Sequence, residues 1–270
     1  MLENQVYQSE CPIDEKPDEK EMNVSQIRNM AEANFTIPNG FSFFEPYLLY
    51  FTREILEIGG EAYLAKDSNG AISGLFLYDA SERDASIYTQ SREVFDYFYG
   101  LKPFNFVYAE IKTEIENEPY DIYAIDLENL SNNHRFSHEI AIAEASQADE
   151  IERFMAFTHP GINKNWVKVA LKNGDKCFTV KLGSEIAGVG WLSLVNDVGR
   201  LHSLYVKPQY RKMKMGEDIL NARLLWLKSK RARSAFSEIS RTNMSCSRVA
   251  TKGHMKASGL VYQYFKKNLK

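Results

Sequence analysis

Apolar and polar positions fall into two successive patterns of the same kind, the first starting near residue 62. Residues 62–67 and 71–79 alternate as strands across a Ser-Asn-Gly turn, and residues 86–89 form a short third strand. Ser91 then caps a helix that runs to Gly100, and residues 104–112 and 120–126 supply two more strands. The aromatic side chains of this stretch, Tyr88, Phe95, Tyr97, Phe98, Tyr99, Phe104 and Phe106, read as core.

After residue 138 the pattern repeats more legibly. Residues 139–145 alternate like a strand, Ser146 caps a helix with Asp149 three positions on, and residues 165–174 form a short amphipathic helix closed by Gly174. Residues 177–182 and 186–195 are strands around a Gly-Ser turn, and a third strand, 200–206, stops at Pro208. An apolar stripe from Gly216 through Ile219, Leu220, Leu224 and Leu227 marks a helix with basic residues at its end. Residues 236–240 form a strand, 245–258 a helix ending at Gly259, and 260–265 a last strand. The shared strand-strand-strand-helix-strand order predicts an internal duplication.

Between the two patterns lies a polar segment, residues 128–137, rich in Asn and Ser, which reads as a linker. The expected division is therefore 1–130 and 136–270. Charge supports the cut: residues 1–135 carry 10 basic and 25 acidic side chains and residues 136–270 carry 23 and 11, so the formal −3 splits into −15 and +12. The basic half suits an anionic ligand, and attraction between the halves explains the contrast equally well. With 44% hydrophobic residues the chain has enough apolar material for folded domains, and no apolar run approaches the roughly 18 residues that cross a bilayer. The acidic N-terminus lacks the order of a secretory signal, and Cys11, Cys177 and Cys246 show no metal spacing. A cytoplasmic protein with no metal and no membrane partner is expected.

The most informative stretch is 201–216, where a strand meets a proline, a basic loop follows and a helix begins at glycine. Unpaired amides at the start of that helix, with Arg211, Lys212 and Lys214 beside them, are suited to phosphate. A solvated basic turn is the plainer reading of those residues alone. The element order and the frame Arg211-Lys-Met-Lys-Met-Gly216 resemble the GNAT superfamily of acyl-coenzyme A-dependent N-acyltransferases, whose loop is Arg/Gln-x-x-Gly-x-Gly/Ala. Lys214 stands where the family has its first glycine, so it must accept a left-handed backbone or shift the loop.

The resemblance covers residues 139–267 in element order. It implies an α/β (α+β) fold of two GNAT-like domains, each a mixed, mostly antiparallel twisted sheet flanked by helices. It also implies that acetyl-CoA (coenzyme A) binds through Leu204, Tyr205 and Val206 on the strand, and through Arg211, Lys212, Met213, Lys214, Met215, Gly216 and Glu217 at the loop. Asn243, in the family's second motif, would contact the cofactor. The first half has Gln90-Ser91-Arg92-Glu93 where the loop should lie and is expected to have lost cofactor binding.

His202 is the expected base, since a protonated amine needs a proton acceptor near neutral pH. Its pattern Leu-His-x-Leu-x-Val is similar to that of the arylalkylamine N-acetyltransferases. Strand alternation puts it on one face with Leu204 and Val206, opposite Leu201 and Tyr205, where a satisfied core histidine is the competing reading. Glu238 is a second candidate base. The family's leaving-group tyrosine falls at Met255, leaving Tyr205, Tyr262 and Tyr264 as substitutes, with Tyr262 preferred; Cys246 reads as a structural helix cysteine. The implied reaction moves an acetyl group to a small-molecule or protein amine by direct attack in a ternary complex. The competing reading is a catalytically inactive CoA-binding or regulatory module. Nucleic acid is not expected, because the basic residues crowd a helix end without interleaved aromatics.

Overall fold

The computed structural model describes residues 22–33, 35–111, 118–131, 133–158, 163 and 165–266. The first repeat comprises β1 (Asn23–Ile27), α1 (Glu45–Glu57), β2 (Glu61–Lys66), β3 (Ile72–Asp79), β4 (Asp84–Tyr88), α2 (Arg92–Leu101), β5 (Phe106–Ala109) and β6 (Glu118–Asp126). The second comprises β7 (Ala141–Ile142), α3 (Ala148–Thr158), α4 (Trp166–Lys172), β8 (Lys176–Leu182), β9 (Glu185–Val195), β10 (Val198–Val206), α5 (Met215–Ser229), β11 (Ser234–Ser240), α6 (Met244–Lys252) and β12 (Lys256–Lys266).

Among the described residues twelve strands form one sheet in the order β1-β2-β3-β4-β5-β12-β6-β11-β10-β9-β8-β7. The order is the same from either end once each strand is matched to its counterpart in the other repeat. Among the described residues only β4–β5 and β10–β11 pair in parallel, and each parallel step is crossed by a helix, α2 or α5. At the centre the repeats exchange their last strands: β12 pairs with β5 and β6, and β6 pairs with β12 and β11. The mixed, mostly antiparallel sheet flanked by helices agrees with the sequence reading.

Helix α1 and strand β1 had no counterpart in that reading. Helix α1 matters most, because its Tyr47 hydroxyl donates to the carbonyls of Ser193 and Val198, tying the first repeat to β9 and β10. Aromatic side chains from both repeats, Phe44, Tyr47, Tyr88, Phe236 and Tyr262 among them, form one buried cluster beneath α1. Phe95, Phe98 and Phe104 are buried as expected, whereas Tyr97 points to solvent.

Several boundaries differ from expectation. Helix α6 ends at Lys252 with Gly253 as its cap, and Gly259 lies instead in an irregularity of β12, at φ 84°. Ser146 sits inside a 3-10 turn, and the capping box is made by Glu144 and Gln147. The strand expected over 139–145 narrows to two residues. The end of the expected linker is held down: buried Asp218 on α5 accepts from His134 Nε2 (2.9 Å), His138 Nδ1 (2.8 Å) and the Ser137 amide (3.1 Å). Among the described residues no helix is long and apolar enough to cross a membrane.

Candidate acyl-transfer site

Strands β10 and β11 pair only from Val198–Ser234 to Arg200–Phe236 and then part, although β10 continues to Val206 and β11 to Ser240. A cavity of about 580 Å³ reaches into this opening, where Leu204, Ile239, Asn243 and Val249 line it. On its other edge β10 carries a bulge: His202 faces Trp191 and Tyr205 faces Val189, so one extra residue is fitted in, with Ser203 at φ 49°.

The bulge overturns the expected alternation. His202 lies against Trp166 (6.0 Å between ring centres) and Tyr205 against Phe154 (5.8 Å), while Leu201, Leu204 and Val206 pack on the core below α5. Past the bulge the Lys207 amide donates to the Ala187 carbonyl, so Tyr205 directs its own backbone groups to β9 and Val206 turns its amide into the cleft. Tyr205 therefore does not offer the cleft an amide, as the sequence reading had it.

The loop after β10 makes a 3-10 turn at Pro208–Tyr210 and enters α5 through two left-handed residues, Lys212 (φ 67°) and Lys214 (φ 65°). Lys214 thus adopts the conformation that favours glycine, and the loop keeps its course. The amides of Tyr210 and Arg211 are spent on the carbonyls of Lys207 and Pro208, and that of Asp218 on Lys214. Among the described residues nothing accepts from the six amides of 212–217. They form a run of unpaired donors at the positive end of a 15-residue helix. Arg211 contributes only its side chain, which bonds the Val206 carbonyl and lies over the Tyr205 ring. The Glu217 carboxylate is paired with Lys252.

The matching place in the first repeat is closed. Strands β4 and β5 stay paired from Asp84–Phe106 to Ile87–Ala109, and the Ser91 hydroxyl accepts from the Val94 amide at the start of α2.

Deeper in the cavity, His202 Nε2 stands 3.2 Å from Ser193 Oγ and 3.9 Å from Asp175 Oδ2. Burial, and then the charges of Arg200 and Arg223, hold its pKa well below the usual histidine value, so its ring is neutral. Glu238 is committed to an ion pair with Arg200 Nε at 2.9 Å, which corrects its expected place as a free base. Tyr262 is stacked against Tyr108 and packed on Phe44 within the aromatic cluster, where burial raises its pKa well above that of a free tyrosine. A phenol held that way keeps its proton, which argues against Tyr262 as the acid. Asn243 caps α6 by accepting from the Cys246 amide (3.1 Å), so its side-chain oxygen is occupied. Met255 is core, and burial raises the Cys246 thiol pKa, against a nucleophilic role.

The sequence reading missed three groups. Glu54 on α1 lines the cavity, and burial followed by the charge of Asp175 pushes its pKa up to about 7. Asp175 accepts from the Tyr50 hydroxyl (2.8 Å) and is raised to about 6, chiefly by burial. Buried Arg223 donates through one nitrogen to the carbonyls of Trp191 (2.9 Å) and His202 (3.2 Å), bracing β10 beside its bulge. No motif flags Glu54, because the helix that carries it was itself not predicted.

Residues 131–252 match the family model of the Acetyltransferase (GNAT) family. No curated protein matches the sequence. Among solved structures, a Drosophila protein shares the fold at 11% identity over 92% of this chain and 99% of that one, with a TM-score of 0.64. A tandem GNAT protein from the clavulanic acid biosynthesis pathway does so at 9% identity, 91% and 98% coverage and a TM-score of 0.58. A GCN5-related N-acetyltransferase from Sphaerobacter thermophilus covers 76% of this chain and 80% of its own, at 11% identity and a TM-score of 0.55. The parted strands, the unpaired amides and the family match agree: residues 131–252 match the GNAT acetyltransferase family, within a chain that has the fold of a tandem GNAT protein.

Proposed function

We propose that the protein transfers an acetyl group from acetyl-coenzyme A to a primary amine by direct attack in a ternary complex. In this reading residues 136–270 form the transferase domain, and residues 1–130 a repeat without cofactor that walls the acceptor side. The observation that carries the reading is the run of six unpaired amides at 212–217 beside a strand pair that parts into a cavity. That arrangement fits a diphosphate followed by an extended pantetheine arm: the amides receive the anion, Lys212 and Lys214 add charge, and Val206 offers the strand's free amide. An added Cβ at Gly216 would meet Val249, Leu204 and Val206 only at 3.7–4.0 Å, so the absent side chain leaves space at the helix start.

Bound coenzyme A supplies an activated acyl thioester. The chain's own part is to position the amine, take its proton and stabilise charge. Glu54, with a pKa of about 7, accepts a proton from the ammonium form of the acceptor, and neutral His202 beside Ser193 and Asp175 orients the freed amine. The amine nitrogen then bonds to the acyl carbon, the carbon–sulfur bond breaks, the extra proton left on nitrogen passes through solvent to the departing thiolate, whose ordinary thiol pKa is near ~8.5, and Glu54 returns its own proton to solvent. The backbone around Leu204, held by the bulge and Arg223, is the donor for the developing oxyanion. The free thiols Cys177 and Cys246 suit a reducing, cytoplasmic setting.

Thiol release from acetyl-CoA across a panel of primary amines tests the reading, with thermal stabilisation read in parallel. We expect saturable turnover, and a loss of about 10²–10⁴ in kcat/KM for Glu54→Gln. Stabilisation with no thiol release for any amine favours a sensor module; neither effect removes the cofactor assignment.

A further inference from the structure

The cavity does not end at the reacting centre. It continues past Glu54 and Asp175 into the first repeat, where β3, β4 and the turn between them bring Asp79, Glu82 and Asp84 to its far wall. Six carboxylates line it in all, counting Glu238, against the guanidinium groups of Arg200 and Arg223. Arg200 is paired with Glu238, and Arg223 is turned to backbone carbonyls. Among the described residues the other five carboxylates make no ion pair with Arg or Lys, although the charge of Arg200 reaches Glu54 and Asp175.

Both ends hold a carboxylate oxygen shut off from solvent and without a hydrogen-bond donor. At the near end it is Oδ2 of Asp175, a residue 3% exposed; at the far end it is Oδ1 of Asp84. Leaving such an oxygen unpartnered is costly, and the cost is offset when a ligand brings the donor. The two groups are distinct: Asp84 is perturbed by Glu82 and Asp79, and Glu54 by Asp175. Phe51, Tyr88 and Tyr108 also face the cavity, with Arg200 over the Phe51 ring, and their faces are suited to methylene groups.

We propose that the acceptor is a linear diamine or polyamine. The amine to be acylated lies at Glu54, Asp175 and His202, and a second ammonium is held at Asp79, Glu82 and Asp84. Only the identity of the reacting end rests on the transferase reading; the two-ended binding does not. The first repeat then supplies the subsite that measures acceptor length.

The test compares butylamine with 1,4-diaminobutane and its longer homologues on the full-length chain, by thiol release from acetyl-CoA and, without acetyl-CoA, by thermal shift. We expect the best diamine to exceed the monoamine of equal carbon number by at least about tenfold in kcat/KM, mainly through KM. Asp84→Asn should reduce that ratio. Equal efficiency for monoamines and diamines at every length, or a ratio unmoved by Asp84→Asn in a folded variant, overturns the proposal and leaves the transferase standing. Stabilisation by diamines alone, with no amine acylated, sustains the two-ended site and removes the transferase.

Discussion

Lys214 and Glu54 show how single side chains tune a site whose frame is main chain. Lys214 holds a left-handed conformation at φ 65°, which costs a non-glycine residue roughly 1 kcal/mol. Lys214→Gly should therefore raise unfolding stability by up to about 1 kcal/mol in urea titration. The same change should weaken acetyl-CoA severalfold, because it removes a cation from the anion site. In the proposed reaction Glu54 acts through its proton. With a pKa of about 7 it is a base only when ionised, so kcat/KM should rise with pH through that value, and Glu54→Gln should flatten the limb. Its stability effect has the opposite sense. Its pKa is higher folded than unfolded, so the stability it contributes is complete below about pH 4 and drains away as pH climbs through 7. His202, depressed in the fold, works in the other direction below its ordinary value. Comparing wild type with Glu54→Gln cancels that contribution: the variant should gain stability relative to wild type between pH 5 and pH 8.

At the scale of elements, the loop into α5 was legible because its marks are compositional: a proline that ends a strand, a basic run, then a glycine at a helix start. The bulge was not, because Ser203 carries no signature and only the register against β9 reveals the extra residue. That one residue moved His202 to the other face from Leu204. Helix α1 was hidden for another reason. Pro46 and a crowd of aromatics suggest no amphipathic period until they are seen packing on both repeats, and Glu54 was lost with it. Tyr262, read as an acid, belongs to that same aromatic packing. Gly190 on β9 secures the arrangement at the bulge. A Cβ there would lie 3.1 Å from Arg223 Nε and Cζ and 2.5 Å from Ile219 Cγ2. Gly190→Ala should therefore push α5 off the sheet and destabilise the fold by about 1–3 kcal/mol in denaturant titration.

For the whole molecule, the duplication was readable in element order, but the exchange of strands was not, since hydrogen-bond partners are chosen in space. Because β6 lies between β12 and β11, residues 136–270 alone lack the strand that covers β11. Expressed separately they should fail to give a cooperative thermal transition, whereas the full chain should melt as one unit. The exchange also explains why one cavity has walls from both repeats although only one repeat keeps an open helix start. Amide hydrogen exchange across the full chain, with and without acetyl-CoA, puts that asymmetry to the most direct test. The account predicts slowed exchange at residues 212–217 and at Val206 on addition of the cofactor, with residues 91–94 of the first repeat unchanged. Unaltered exchange at 212–217, or protection that appears instead at the start of α2, would contradict it.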